Sequence, residues 1–123
     1  MRNLYFVLYF IVCFSLEASE NHAIIFIDSS FANQAKLVEQ INQSLFYSPT
    51  LRESLDVTVF DTNSQPMVFN GEINYVHDAQ GKHIAQYRPT SLPALYCQSA
   101  GKVVLNLTLQ EKDQICLCIK KDA

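Results

Sequence analysis

The sequence predicts a single α/β (α+β) domain, and three observations carry that expectation. A continuous apolar run, Ala23-Ile-Ile-Phe-Ile27, is followed by an amphipathic stretch and then by a β-branched run, Asp56-Val-Thr-Val-Phe60; together they read as a βαβ unit. Pro93 opens a second apolar run through Cys97, and Gly101-Lys-Val-Val-Leu105 follows it after a turn, which predicts a proline-led β-hairpin. The tail from Leu109 to Lys121 then closes the domain with a C-terminal helix.

The chain of 123 residues opens with Met1-Arg2-Asn3, an uncharged run from Leu4 to Leu16, and Glu17-Ala18-Ser19. One positive residue, a short apolar run and small residues at its end read as a secretory signal peptide, residues 1–18, with cleavage after Ala18. The run is shorter than the roughly 20 residues that span a bilayer. The expected product, residues 19–123, is one periplasmic or secreted domain with no transmembrane segment. The net charge of −3 is unchanged by cleavage, because Arg2 and Glu17 leave together. Phosphate binding wants a clustered positive face, and Lys120-Lys121 is only a pair, so a nucleic-acid partner is not expected.

The elements follow in order. Residues 23–27 are a strand buried on both faces, since no polar residue alternates with the apolar ones. Asp28, Ser29 and Ser30 are N-cap candidates, having short side chains that can accept from orphan helix amides. Phe31, Ala35, Val38, Ile41 and Leu45 recur at three- and four-residue spacing, which predicts a helix over 31–46. Ser48-Pro49 starts one more short helical piece, with proline at its favoured first position. Residues 56–60 are the second strand, and the crossover between the two should be right-handed.

In 62–91 the signals are local. Asn70-Gly71 between Met67–Phe69 and Ile73–Val76 predicts a two-residue hairpin. Asp78–Gly81 is either a second turn or the start of a short helix through Tyr87; irregular chain is favoured, because glycine weakens a helix by about 1 kcal/mol relative to alanine. From Leu92 the pattern clears: a strand over 92–98, a turn at Ser99-Ala-Gly101, and an antiparallel partner over 102–107. Proline can only open a strand or line an edge, since it donates no ladder hydrogen bond. In the tail, Thr108 and Glu111 fit a capping box and Ile115, Cys118 and Ile119 share one helical face, so a helix is favoured. The rival is a third strand, in which Ile115, Leu117 and Ile119 alternate with the cysteines.

Strand, helix, strand, a proline-led hairpin and a closing helix resembles the thioredoxin-like order over residues 23–121. Within that superfamily the chain is similar to the periplasmic pilin-assembly proteins of F-type conjugation (type IV secretion) systems. Those pair a first strand and a serine-bearing helix start, here Phe26-Ile-Asp-Ser-Ser-Phe31, with a late strand opened by Leu92-Pro93-Ala94. The resemblance implies a binding edge for a protein partner formed by Ser29, Ser30, Phe31, Ser91, Leu92 and Pro93. It departs from the redox pattern at one decisive place. Active thioredoxins carry Cys-x-x-Cys at the first helix start, and this chain has Ser29-Ser-Phe-Ala32. A serine hydroxyl cannot perform thiolate exchange.

Cys97, Cys116 and Cys118 remain after cleavage, and an oxidising compartment favours a disulfide from Cys97 to Cys116 or to Cys118. A Cys3His zinc set can be written with His22, His77 or His83, but no histidine has metal-ligand spacing, so neither metal nor cofactor is expected. Ser29, Ser30, His77 and Asp61 can be assembled into a hydrolase constellation, yet no nucleophile-elbow motif is present and no catalytic residue is assigned. The expected function is therefore non-enzymatic: an exported protein-interaction component of a conjugation or type IV secretion apparatus. Its mechanism is recognition by the unpaired backbone of Ser91 and Leu92. The rivals are a periplasmic thiol-disulfide oxidoreductase or disulfide chaperone using Cys97 with Cys116 or Cys118, and a small secreted structural domain.

Overall fold

The structure is a computed structural model and describes residues 21–67 and 71–119. Cys13 and the predicted signal peptide, Val68–Asn70, and Lys120-Lys121 lie outside the described residues. Strand β1 (Asn21–Ile27) is the centre of a five-stranded sheet ordered β3-β2-β1-β4-β5, in which β2 is Asp56–Asp61, β3 Asn74–His77, β4 Ala94–Ser99 and β5 Lys102–Thr108. It runs parallel to β2, with Ile25 opposite Val59, and antiparallel to β4, with Ile25 opposite Leu95. Ile25, Phe26 and Ile27 are fully buried, as a run without alternation requires.

Helix α1 (Ala32–Tyr47) covers one face of the sheet and inserts Leu37, Val38, Ile41 and Leu45 between Ile25, Ile27, Val57, Val59 and Leu95. It begins one residue later than the periodicity predicts. Phe31 is therefore outside the helix and 56% exposed, and Gln34 and Leu37 replace Phe31 and Ala35 at the buried end of the stripe. The expected capping by Asp28, Ser29 or Ser30 does not occur. Phe31 occupies the N-cap and has no side-chain cap. The Asp28 carboxylate instead accepts from the Ser30 amide (3.0 Å) and hydroxyl (2.6 Å), a local turn that competes with capping.

Helix α2 (Pro49–Ser54) starts as expected, with Pro49 in its first turn and the Ser48 hydroxyl accepting from the Leu51 amide at 3.2 Å. Arg52 turns back to donate to the last carbonyls of α1, Leu45 at 2.9 Å and Phe46 at 2.7 Å, satisfying groups that a helix end leaves orphaned. Ser48→Ala should cost about 1 kcal/mol in urea unfolding, the usual loss for an N-cap hydroxyl; an unchanged midpoint would show the cap to be dispensable.

The turn predicted at Asn70-Gly71, with its first strand over 67–69, falls on residues 68–70, which lie outside the described residues. The strand near 73–76 exists, as β3, and it pairs in parallel with β2, Val59 opposite Tyr75. An isolated two-stranded ribbon is marginal in water. Adding β3 to β2 gives it a ladder and lets Ile73, 6% exposed, and Tyr75 pack on the α1 face. Gly71 lies against the Asn42 side chain, whose amide oxygen accepts from the Glu72 amide at 2.6 Å.

The irregular chain favoured after Asp78 is corrected too. Asp78, 4% exposed, accepts from the amides of His83 and Ile84 (2.9 Å for Ile84), and the short helix α3 (Ile84–Tyr87) follows. Gly81 has φ 72° and forms the turn before the helix, so its helix penalty does not apply. α3 covers part of the second sheet face, where Phe26, Phe60, Tyr87 and Tyr96 cluster; the Phe26 ring centre is 5.2 Å from Phe60 and 5.1 Å from Tyr87.

Strands β4 and β5 meet through Ala100 (φ 51°) and Gly101 (φ 82°), the two left-handed residues of a tight hairpin turn. A register shift at Cys97/Gln98 puts a bulge in the β5 edge beside the exposed Val103, Val104 and Leu105. The tail is a 3-10 helix over Lys112–Cys118, shorter than the α-helix expected over 109–121. Thr108 is still part of β5, so the capping box moves to Glu111 and Gln114, which satisfy each other's backbone amides. Ile115 and Cys118 turn inward, and Cys118 bonds to Cys97 with a Cα–Cα distance of 4.8 Å. Cys116 points outward as an exposed free thiol. Two of the three sulfurs that a Cys3His zinc site would need are thereby joined to each other.

Candidate functional site

The carboxyl ends of β1, β2 and β3 meet just before α1, and the turn there is organised by one buried carboxylate. Asp61, fully buried as the last residue of β2, accepts from the Ser29 hydroxyl (2.6 Å) and amide (3.0 Å), the Tyr75 hydroxyl (2.6 Å) and the Asn63 amide (3.1 Å). Burial alone would push its pKa up. The hydrogen bonds from Ser29, Tyr75 and Asn63 outweigh burial and hold it below the ordinary carboxylate value. Tyr75 is pushed up to about 12 by burial and by its bond to Asp61, so it remains a donor at any physiological pH. It also accepts from the Met67 amide at 2.9 Å, tying the chain after β2 to the same centre.

This centre holds a loop and does not activate a nucleophile. Ser29 donates to a carboxylate of lowered pKa, which is a weak base, and accepts from the Asn63 side chain at 3.0 Å. His77, the base of the hydrolase set written from sequence, bonds through Nε2 to the Asn63 carbonyl at 2.6 Å. Ser30 bonds to Asp28, away from Asp61. Three of the four residues in that set are thus drawn to one place, but in structural roles.

The second part of the site is the loop before β4, where the Leu92–Pro93 bond is cis. Pro93 lines an open groove of about 440 Å³ with Asn33, Lys36, Leu37 and Gln40 of α1 and with Thr108–Gln110. Its carbonyl accepts from the Leu109 amide at 2.8 Å. Leu92 packs beside Phe26, Ala94 and Tyr96 on the other sheet face, and the Ser91 and Thr108 hydroxyls share a bond of 2.8 Å. Among the described residues the backbone groups of Ser91 and Leu92 have no hydrogen-bond partner.

Of the six residues predicted for the edge, Ser91, Leu92 and Pro93 form one continuous loop, Phe31 is exposed at the α1 start, and Ser29 and Ser30 are committed to Asp61 and Asp28. Across the groove from Pro93 stand Asn33 and Lys36, which the sequence reading did not name. Their three-residue spacing on α1 puts them on one helical face, and that was the available signal. The disulfide is elsewhere: Cys97 is four residues along β4 from Pro93, about 13 Å at the rise of a strand, and is fully buried on the α1 face.

The fold has solved counterparts. StoA from Bacillus subtilis is similar, with a TM-score of 0.61 at 12% identity over 84% of each chain. A thioredoxin-like protein from Bacteroides caccae superposes with a TM-score of 0.55 at 13% identity, over 82% of this chain and 40% of that one. A conserved protein of unknown function from Bacteroides fragilis gives 0.52 at 13% identity, over 80% of this chain and 79% of that one. No family model and no curated protein matches the sequence. The five-stranded sheet with its central parallel pair and these likenesses establish a thioredoxin-like fold for the chain.

Proposed function

We propose that this chain is a non-enzymatic, exported protein-interaction module of a conjugation or type IV secretion apparatus, which binds an extended segment of a partner beside Pro93. The observation that carries the reading is the pairing of free backbone at Ser91 and Leu92 with a helix start whose Ser29 is held by Asp61. Free backbone beside a groove suits strand-like addition of a peptide, with main-chain bonds giving affinity and the groove giving selectivity. A serine in the thiol position supplies no exchange chemistry. Insulin reduction in the presence of dithiothreitol tests this: the rate should equal that of dithiothreitol alone. Turnover that disappears in Cys97→Ser would overturn it.

A second reading rests on Cys116, an exposed thiol two residues from the Cys118 end of a disulfide. In that reading the Cys116 thiolate attacks the Cys97–Cys118 bond or a substrate disulfide, forming a disulfide to one sulfur and releasing the other as a thiolate, and dithiothreitol, oxidised in turn, restores the Cys116 thiol; the chain would then be a thiol-disulfide oxidoreductase or disulfide chaperone. It predicts insulin turnover that is lost in Cys116→Ser. The burial of Cys97 and Cys118 favours the first reading, because an attacking thiolate must reach the disulfide in line.

A further inference from the structure

The sheet face opposite α1 is only partly covered. Beyond α3 it leaves a pocket of about 420 Å³ over β4 and β5, lined by Tyr87, Arg88, Ser91, Tyr96, Asn106 and Thr108. We propose that this pocket binds a monocarboxylate attached to an apolar or aromatic body, with the Arg88 guanidinium as its anchor.

Three features of the residues support this. The first is the backbone of Arg88. It sits at φ 51° and ψ 57°, left-handed, immediately before Pro89, with its amide bonded to the Ile84 carbonyl at 2.8 Å. Glycine or asparagine would occupy that C-cap at less steric cost, yet the position carries an arginine. Backbone of this kind persists only where the surrounding structure over-determines it, here the Ile84 carbonyl on one side and Pro89 on the other.

The second is the absence of an internal partner. The side chain is exposed, its Nε reaches only the Ala85 carbonyl at 3.4 Å, and among the described residues no carboxylate lies within ion-pair distance of it. Its planar fork matches a carboxylate in two parallel bonds.

The third is the remaining lining. Ser91 and Thr108 share one proton between their oxygens, which leaves the pair one hydroxyl proton to donate. The Asn106 side-chain amide has no partner among the described residues. The Tyr87 and Tyr96 rings, 4.9 Å apart and edge to face, offer the apolar wall. A single guanidinium on a chain of net charge −3 suits one negative charge better than a phosphate dianion.

Two sources share this chemistry: the C-terminal carboxylate of a peptide ending in an aromatic residue, and a free aromatic acid. The test titrates the protein with N-acetyl-Ala-Ala-Phe, its C-terminal amide, and 3-phenylpropionate, followed by NMR shifts of the 87–91 and 106–108 amides. The free-acid peptide or phenylpropionate should shift these amides saturably below 10 mM. The amide should bind at least tenfold more weakly, and Arg88→Gln should lose at least tenfold in affinity. Tighter binding of the peptide assigns the chain terminus; equal binding assigns the free acid. Arg88→Gly separates ligand from fold: it should raise the melting temperature and abolish binding. Equal binding of acid and amide, an affinity within twofold in Arg88→Gln, or no saturable shift would overturn the proposal.

Discussion

Asp61→Ala should lower the unfolding free energy by roughly 3–5 kcal/mol, the loss expected when one member of a buried, fully bonded polar centre is removed. The substitution leaves the Ser29 and Tyr75 hydroxyls and the Ser29 and Asn63 amides, all half-buried, without the buried carboxylate that accepts from them. Tyr75→Phe removes one of those donors and the acceptor of the Met67 amide, and should cost about 2 kcal/mol. The same centre fixes the direction of acid denaturation. The folded pKa of Asp61 is lowered, so its contribution is full above the unfolded carboxylate value near 3.9 and is lost as pH falls through the lower folded value. Urea midpoints of the native protein and Asp61→Ala should therefore differ widely at pH 7, and the gap should narrow only as pH falls below the unfolded carboxylate value. A gap that stays constant between pH 7 and pH 2 would show that the carboxylate charge is not what the turn depends on.

Opening the Cys97–Cys118 disulfide should cost about 3 kcal/mol, because it closes a loop of sequence separation 21 and restricts the unfolded chain. Both cysteines are buried, so the folded protein should show one reactive thiol among Cys97, Cys116 and Cys118, and three after denaturation with reductant. Cys118→Ser should match the reduced protein in urea unfolding, whereas Cys116→Ser should match the oxidised native chain. If Cys116→Ser were the damaging substitution, the pairing would have to be Cys97 with Cys116.

The sequence reading reached the β1-α1-β2 unit and the β4–β5 hairpin because their hydrophobic periods agree with their tertiary surroundings. It missed pairings that only distant chain supplies. β3 joins β2 in parallel, and Ile73 and Tyr75 pack on the α1 face, neither of which a local pattern marks. The pairing of the cysteines was open for a different reason: Cys116 and Cys118 close loops of nearly equal length. Only the phase of the 3-10 helix, which turns Ile115 and Cys118 inward together, chooses between them. The proline loop was legible because proline restricts the backbone by itself. The buried role of Asp61 was not, because its partners Ser29 and Tyr75 lie 32 and 14 residues away.

The most direct test of binding without thiol chemistry is site-specific photo-crosslinking in cells that carry a conjugation apparatus, the proposed setting of the chain. A benzoylphenylalanine at Phe31, exposed beside the proposed edge, is compared with one at the exposed Glu53 of α2. Adducts with an apparatus protein should form from position 31, be absent from position 53, resist reductant and persist in Cys116→Ser. Adducts that vanish with Cys116→Ser, or that appear only as reducible disulfides, would contradict the account.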